Sequence, residues 1–240
     1  MPLTDAQEKV RQAAIDFAKQ NKKAIAKRLT DPTRFVPEEN PVSVFMAGSP
    51  GAGKTEASIE LLAALANKGS EVLRIDPDEL RNEFADYTGD NSWLFQGAVS
   101  ILVEKIHDVA LDQRQSFLLD GTLSKYDIAK RNVERSLKKS RTVQILYVYQ
   151  EPMLAWNFVQ ARELAEGRSI KPEDFIEQYF AARNVVNQLK MEMGTTIRVD
   201  LLLKNNDNSH RAYEAGIDRI DSHIPEKYNP ENLKRMLGIA

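Results

Sequence analysis

Gly48-Ser49-Pro50-Gly51-Ala52-Gly53-Lys54-Thr55 fits the pattern G-x-x-x-x-G-K-[ST] at every position. Few octapeptides constrain a fold as strongly, because this one works only where a strand ends and a helix begins. Its glycines permit a tight loop whose backbone N–H groups point inward at phosphate oxygens. The lysine ammonium supplies a cation to the β/γ-phosphates, and the threonine hydroxyl can hold Mg²⁺. The helix that follows aims its positive end at the same anion. The flanks agree: residues 42–47, Val-Ser-Val-Phe-Met-Ala, read as a short apolar strand, and residues 54–67 as a helix closed by Lys68-Gly69. The segment from Gly48 to Thr55 is therefore expected to bind a nucleoside triphosphate such as ATP, with Mg²⁺ on Thr55.

Around this motif the chain alternates. Residues 72–75, 117–119, 143–149 and 196–203 read as further strands, and residues 4–29, 91–113, 125–139, 152–166 and 172–191 carry helical patterns. Short strands separated by helices of ten or more residues imply right-handed crossovers and a parallel sheet covered on both faces. The expectation is an α/β P-loop NTPase fold with about five parallel strands. Its core is expected over residues 41–205, with helical additions over residues 1–40 and 206–240, the latter holding helices at about 211–223 and 230–237. The 240 residues carry 33 basic against 35 acidic side chains, so no global basic field exists to hold nucleic acid or an anionic membrane. No apolar run approaches the ~20 residues of a membrane helix. The first residues lack the basic head and apolar centre of a signal peptide, and a cytoplasmic protein is expected. There is no cysteine, and His107, His210 and His223 have no metal-ligand spacing. The basic clusters at residues 19–28 and 130–141 have helical spacing without interleaved aromatics, and read as solvated faces.

A phosphate loop alone does not choose between a kinase, a hydrolase and a switch. Ligands of open α/β sheets bind beyond the carboxyl ends of the strands. There the second strand runs into Asp76-Pro77-Asp78-Glu79-Leu80-Arg81, and the third into Asp120-Gly121-Thr122. Asp78 can take a proton from a hydroxyl as it attacks the γ-phosphate. Helix capping is the competing use, and for Asp76 it has equal claim. Arg81, one turn after Asp78, suggests a charged pocket. Asp120 follows three apolar residues and can reach Mg²⁺, or can accept from a substrate hydroxyl. Arg162 and Arg168 flank the end of a helix, where a mobile segment can bring cations over the phosphates; most arginines, however, simply lie on the surface.

Taken together, Gly48–Thr55, Ile75–Arg81, Glu104, Leu119-Asp120-Gly121-Thr122, Arg162 and Arg168 resemble the zeta-toxin family of bacterial P-loop kinases over about residues 40–175. The resemblance implies transfer of the γ-phosphate of ATP to a hydroxyl of UDP-N-acetylglucosamine, and a protein antitoxin as partner. It makes Lys54 and Thr55 the ATP and Mg²⁺ ligands, and Asp78 the general base. Glu104 and Thr122 would contact the sugar nucleotide, with Arg162 and Arg168 on the phosphates. Two positions depart from the family pattern. Asp120 stands where a Glu, one methylene longer, usually contacts the sugar, and Ser124 stands where a substrate-binding Arg is expected. Another small hydroxyl acceptor (a nucleoside, an antibiotic, a polynucleotide end) is the alternative within kinases. A nucleotide-dependent switch is the alternative outside them, and Asp78 with Glu104 and Thr122 is what favours the kinase.

Overall fold

The strand before the phosphate loop, β1 (Val42–Ala47), is buried from Ser43 onward and lies inside a six-stranded sheet. This is seen in a computed structural model that describes residues 3–66, 71–167, 170–204, 211–224 and 227–239. The other strands are β2 (Leu73–Ile75), β3 (Phe117–Leu119), β4 (Thr142–Tyr149), β5 (Arg198–Lys204) and β6 (Arg211–Glu214). Their order across the sheet is β2-β3-β1-β4-β5-β6, with the first five parallel and β6 antiparallel to β5. Connections leave β1 towards β2 on one side and, later, β4 on the other, so the loop after β1 sits where the winding reverses. That is where such sheets bind ligands.

Among the described residues the helices are α1 (Asp5–Leu29), α2 (Lys54–Ala66), α3 (Gln96–Asp112), α4 (Tyr126–Lys138), α5 (Pro152–Glu166), α6 (Pro172–Met193) and α7 (Pro230–Met236). Alternation along β1 divides its side chains between two cores. Phe45 and Ala47 pack with apolar residues of α1, α3, α4 and α6, while Val44 and Met46 pack with Ala57 of α2. Burial on both faces explains why the strand reads as a continuous apolar run. α1 begins with a reciprocal cap, Gln7 N donating to Thr4 Oγ1 and Thr4 N to Gln7 Oε1, and then lies along α3. None of the described helices is long and apolar enough to cross a membrane.

The structure differs from the sequence expectation in two places. Residues 211–214 are a sixth strand instead of a helix, although Arg-Ala-Tyr-Glu are adequate helix formers. The fully buried carboxylate of Asp200 on β5 decides the matter. It accepts hydrogen bonds from Tyr213 Oη (2.5 Å), the Gly216 amide (2.7 Å), Gln144 Nε2 (2.5 Å) and Arg198 Nε (2.8 Å). Four donors converging on a buried charge outweigh a few tenths of a kcal/mol per residue of helix propensity. The helical pattern expected at 91–113 begins instead with a 3₁₀ turn at Ser92–Phe95, and α3 proper starts at Gln96.

Candidate active site

Three loops meet at the carboxyl ends of β1, β2 and β3. The first is the phosphate loop. Gly48 (φ 136°) and Gly51 (φ 71°) adopt conformations that other residues avoid, and a Cβ on either would strike the carbonyl oxygen of Val148 or of Ala155. Only glycine lets the loop lie this close to β4 and α5. Gly48 N donates to Thr122 O at 3.2 Å, so the loop after β3 closes one side. Lys54 opens α2, and its ammonium donates to the loop's own carbonyls at Gly48 (3.1 Å) and Ser49 (2.6 Å). Lys204, at the end of β5, donates to Gly53 O at 2.9 Å. The Thr55 hydroxyl has no hydrogen-bond partner among the described residues.

Behind the loop lies a buried ionic cluster. Asp76 and Asp120 are 8% and 6% exposed, and the Arg74 guanidinium stands between them. Its NH2 group lies 2.6 Å from Asp76 Oδ2 and 2.7 Å from Asp120 Oδ2. Nε donates to Ser58 Oγ of α2 at 3.1 Å, and NH1 to Glu79 Oε1 at 2.5 Å. Burial raises the Asp76 carboxyl to about 6, against the opposite pull of Arg74 and of the Asp78 amide.

Asp78 forms the front of the site. It occupies the N-cap position of a 3₁₀ turn at Glu79–Glu83, yet its side chain makes no capping bond. Its Oδ1 pairs with Arg81, its Oδ2 lies 3.5 Å from Arg162 NH2, and its amide donates to Asp76 Oδ1 at 2.7 Å. Arg81 is largely buried, and its Nε has no partner among the described residues. Asp76 closes an Asx turn onto the amide of Asp78, ahead of the 3₁₀ turn.

Lys54 connects front and back. Burial lowers its ammonium to about 8, opposed by the negative charges of Asp120 and Asp78 and reinforced by Arg162. In an unfolded chain the same group titrates near 10.5. Between those values the unfolded state binds more protons, so this group makes folding more favourable as pH rises from about 8 to about 10.5. Phosphate needs the charged ammonium, so nucleotide affinity moves the other way. Affinity for ATP is expected to be flat below about pH 7 and to fall by up to about tenfold per pH unit above about pH 8, with net proton uptake on binding. Calorimetric titrations in two buffers of different ionisation enthalpy measure both quantities. A pH-independent affinity would remove Lys54 from the phosphate.

Of the residues singled out in the sequence, the structure brings together the Gly48–Thr55 loop, Asp78, Arg81, Asp120, Thr122 and Arg162. Thr122 contributes its carbonyl to Gly48, and its hydroxyl lies 3.0 Å from that of Ser124, across Leu123 in a left-handed conformation (φ 53°). Glu104 does not join the cluster: it is half-exposed on α3, and its ion pair is to Arg131 of α4 at 3.6 Å. Arg168 lies outside the described residues. Arg74, Ser58 and Lys204 were not singled out in the sequence. The one available signal was an arginine between Leu73 and Ile75 in a strand with buried neighbours.

Among the described residues no three His, Asp or Glu side chains gather as a metal cage. Mg²⁺ rarely needs one, since one or two protein oxygens and the substrate's phosphates suffice. The Thr55 hydroxyl and Asp120 fit that donor set. Both protein contacts to Asp120 use Oδ2, so Oδ1 has no partner among the described residues.

The zeta-toxin family pattern matches residues 26–218 of the chain. Among solved structures, one from the PezAT chromosomal toxin–antitoxin system of the human pathogen Streptococcus pneumoniae superposes with a TM-score of 0.63 at 17% identity, covering 98% of this chain and 88% of that one. The complex of AvrRxo1-ORF1 with ORF2, solved with ATP, superposes with a TM-score of 0.57 at 16% identity, covering 90% of this chain and 70% of that one. The same complex solved with sulphate ions gives 0.58 at 16% identity, with the same coverage. No curated protein sequence matches this one.

Proposed function

The chain belongs to the zeta-toxin family of P-loop kinases, and on that footing we propose that it transfers the γ-phosphate of ATP to a hydroxyl of a sugar nucleotide such as UDP-N-acetylglucosamine. The observation that carries the reading is the position of Asp78: a carboxylate held between Arg81 and Arg162, close enough to Lys54 to act on its charge. A switch needs the phosphate loop and metal oxygens only, whereas a transferase also needs a base beside the phosphate-binding cation.

The residues divide the work as follows. The backbone of Gly48–Gly53 and the Lys54 ammonium bind the phosphates. Mg²⁺, held by Thr55, Asp120 and the phosphates, would neutralise charge on the β- and γ-oxygens. Asp78 accepts the acceptor's proton and orients its oxygen towards the γ-phosphate. Arg81 and Thr122 flank the acceptor. The family resemblance assigns Glu104 to the sugar nucleotide and Arg168 to the phosphates, and for Glu104 that role requires it to leave its ion pair with Arg131. Arg162 exchanges Asp78 for the charge that develops on the transferred group. Replacement of Arg162 by Ala is therefore expected to lower kcat by about 10²-fold or more while changing the KM for ATP little. An effect confined to KM would make it a ground-state ligand.

The toxin–antitoxin setting of the PezAT neighbour supports a protein antitoxin as partner, and a cytoplasmic location belongs to the same reading. The test is direct. Purified protein, ATP and Mg²⁺ are incubated with sugar nucleotides, nucleosides, antibiotics and oligonucleotides, and mass spectrometry reads the gain of one phosphate. Phosphorylation of a sugar nucleotide is expected. Transfer only to another class changes the acceptor, and ATP turnover indifferent to every acceptor removes the kinase reading.

A further inference from the structure

Neither the phosphate-loop pattern nor the strand-end carboxylates call for the arginine found among them. β2 is three residues long; Leu73 and Ile75 are buried in the main core, and Arg74 reaches Ser58 on α2. We propose that Arg74 is the positioning residue of this active site, fixing Asp120 directly and Asp78 through Asp76, and tying both to the helix that carries the phosphate loop. The proposal rests on the roles given above to Asp78 and Asp120.

The geometry gives Arg74 two separate tasks. Towards Asp120 it acts with Ser58: NH2 (2.7 Å) and Ser58 Oγ (3.1 Å) both engage Oδ2. The carboxylate is thereby held with one oxygen spent on the protein and Oδ1 turned to other use. Towards Asp76, NH2 takes Oδ2 at 2.6 Å, which leaves Oδ1 to receive the Asp78 amide at 2.7 Å. The rotamer of Asp76 is thus set by Arg74, and the turn presenting Asp78 is set by Asp76. Ser58 also lies 2.8 Å from the Thr55 carbonyl, so the same network touches the residue expected to hold the metal. A guanidinium suits the task because its donors diverge in a plane and reach α2, β2 and β3 together. An ammonium is a single point of charge and reaches only part of that set.

Simple neutralisation of two buried carboxylates is the competing account, and Arg74→Lys separates the two because it keeps the charge and loses the fork. The measurement is a Mg²⁺ titration of the full chain with a non-hydrolysable ATP analogue, read by calorimetry, alongside the melting temperature. Loss of an outer-shell partner weakens metal binding by about 10–100-fold. Arg74→Lys is therefore expected to raise the Mg²⁺ midpoint at least about tenfold, with analogue affinity in EDTA unchanged and the chain still folded at the temperature of the titration. Ser58→Ala removes a neutral anchor and no charge, and is expected to shift the midpoint in the same direction by less.

A wild-type midpoint in Arg74→Lys reduces the residue to charge neutralisation and overturns the proposal. An equal loss of affinity with and without Mg²⁺ overturns it as well, because that is the signature of a damaged loop. Should Arg74→Lys fail to fold, Ser58→Ala decides alone, and an unchanged midpoint there overturns the proposal. The titration needs no acceptor, so failure to find any phosphorylated compound would count against the kinase reading and leave this result standing.

Discussion

Lys54→Ala is expected to lose phosphoryl transfer by about 10²–10³-fold or more, the range for removing one preorganised charge-stabilising donor. The ammonium is a largely desolvated cation, kept charged at neutral pH by Asp120 and Asp78 nearby. Among the described residues its hydrogen bonds are to the carbonyls of Gly48 and Ser49, so it braces the loop it serves. Removing it costs those two bonds and relieves an unfavourable burial of charge, and the two effects oppose each other in folding stability. The expected signature is a near-normal melting temperature, weak nucleotide binding and transfer at about a hundredth of wild type or less. Lys54→Arg is expected to behave similarly in transfer, because a planar fork replaces the compact point charge that donates to the Gly48 and Ser49 carbonyls. Wild-type transfer by Lys54→Ala would force the phosphate loop out of the mechanism.

What could be read from the sequence, and what could not, follows from the range of the interactions. Gly48–Thr55 was legible because its loop conformation, helix start and cation are all local to eight residues. The strand-end carboxylates were legible because sheet polarity brings every carboxyl end to one edge, whatever the packing in between. Arg74 was not, since its meaning depends on Ser58 sixteen positions before it and Asp120 forty-six after it. The same holds at β6. Local propensity favoured a helix at 211–214, and a distant buried carboxylate, Asp200, imposed a strand. In the sequence, capping has equal claim for Asp76, and catalysis the stronger claim for Asp78; in the structure Asp76 accepts the Asp78 amide, and Asp78 faces two arginines. Glu104 is the opposite case: it entered through family resemblance alone, with no local signal, and its ion pair is with Arg131 of the neighbouring helix.

Asp78→Asn separates a transferase from a switch. A hydroxyl near neutral pH is a poor nucleophile, and a carboxylate that takes its proton contributes about 10²–10⁴ in rate. Asn keeps the size of the side chain and leaves the backbone bond to Asp76 in place, but it cannot accept the proton. Acceptor phosphorylation is therefore expected to fall at least about a hundredfold. ATP–Mg²⁺ affinity is expected to change little: the substitution removes a negative charge that repels the phosphates and also part of what keeps Lys54 charged, and the two effects oppose each other. The ion pairs to Arg81 and Arg162 are lost as well. Asp78 is 30% exposed and Arg162 43%, so screening by water keeps the expected change in melting temperature small. Nucleotide affinity, melting temperature and transfer, measured on this one variant, give different answers for each role. Lost ATP binding would move Asp78 to the metal, a markedly lower melting temperature would make it structural, and undiminished transfer would end its assignment as the base. In a host that the wild-type protein poisons, the same substitution should abolish toxicity while the folded protein still accumulates, because the harm lies in the transferred phosphate and not in the bound nucleotide.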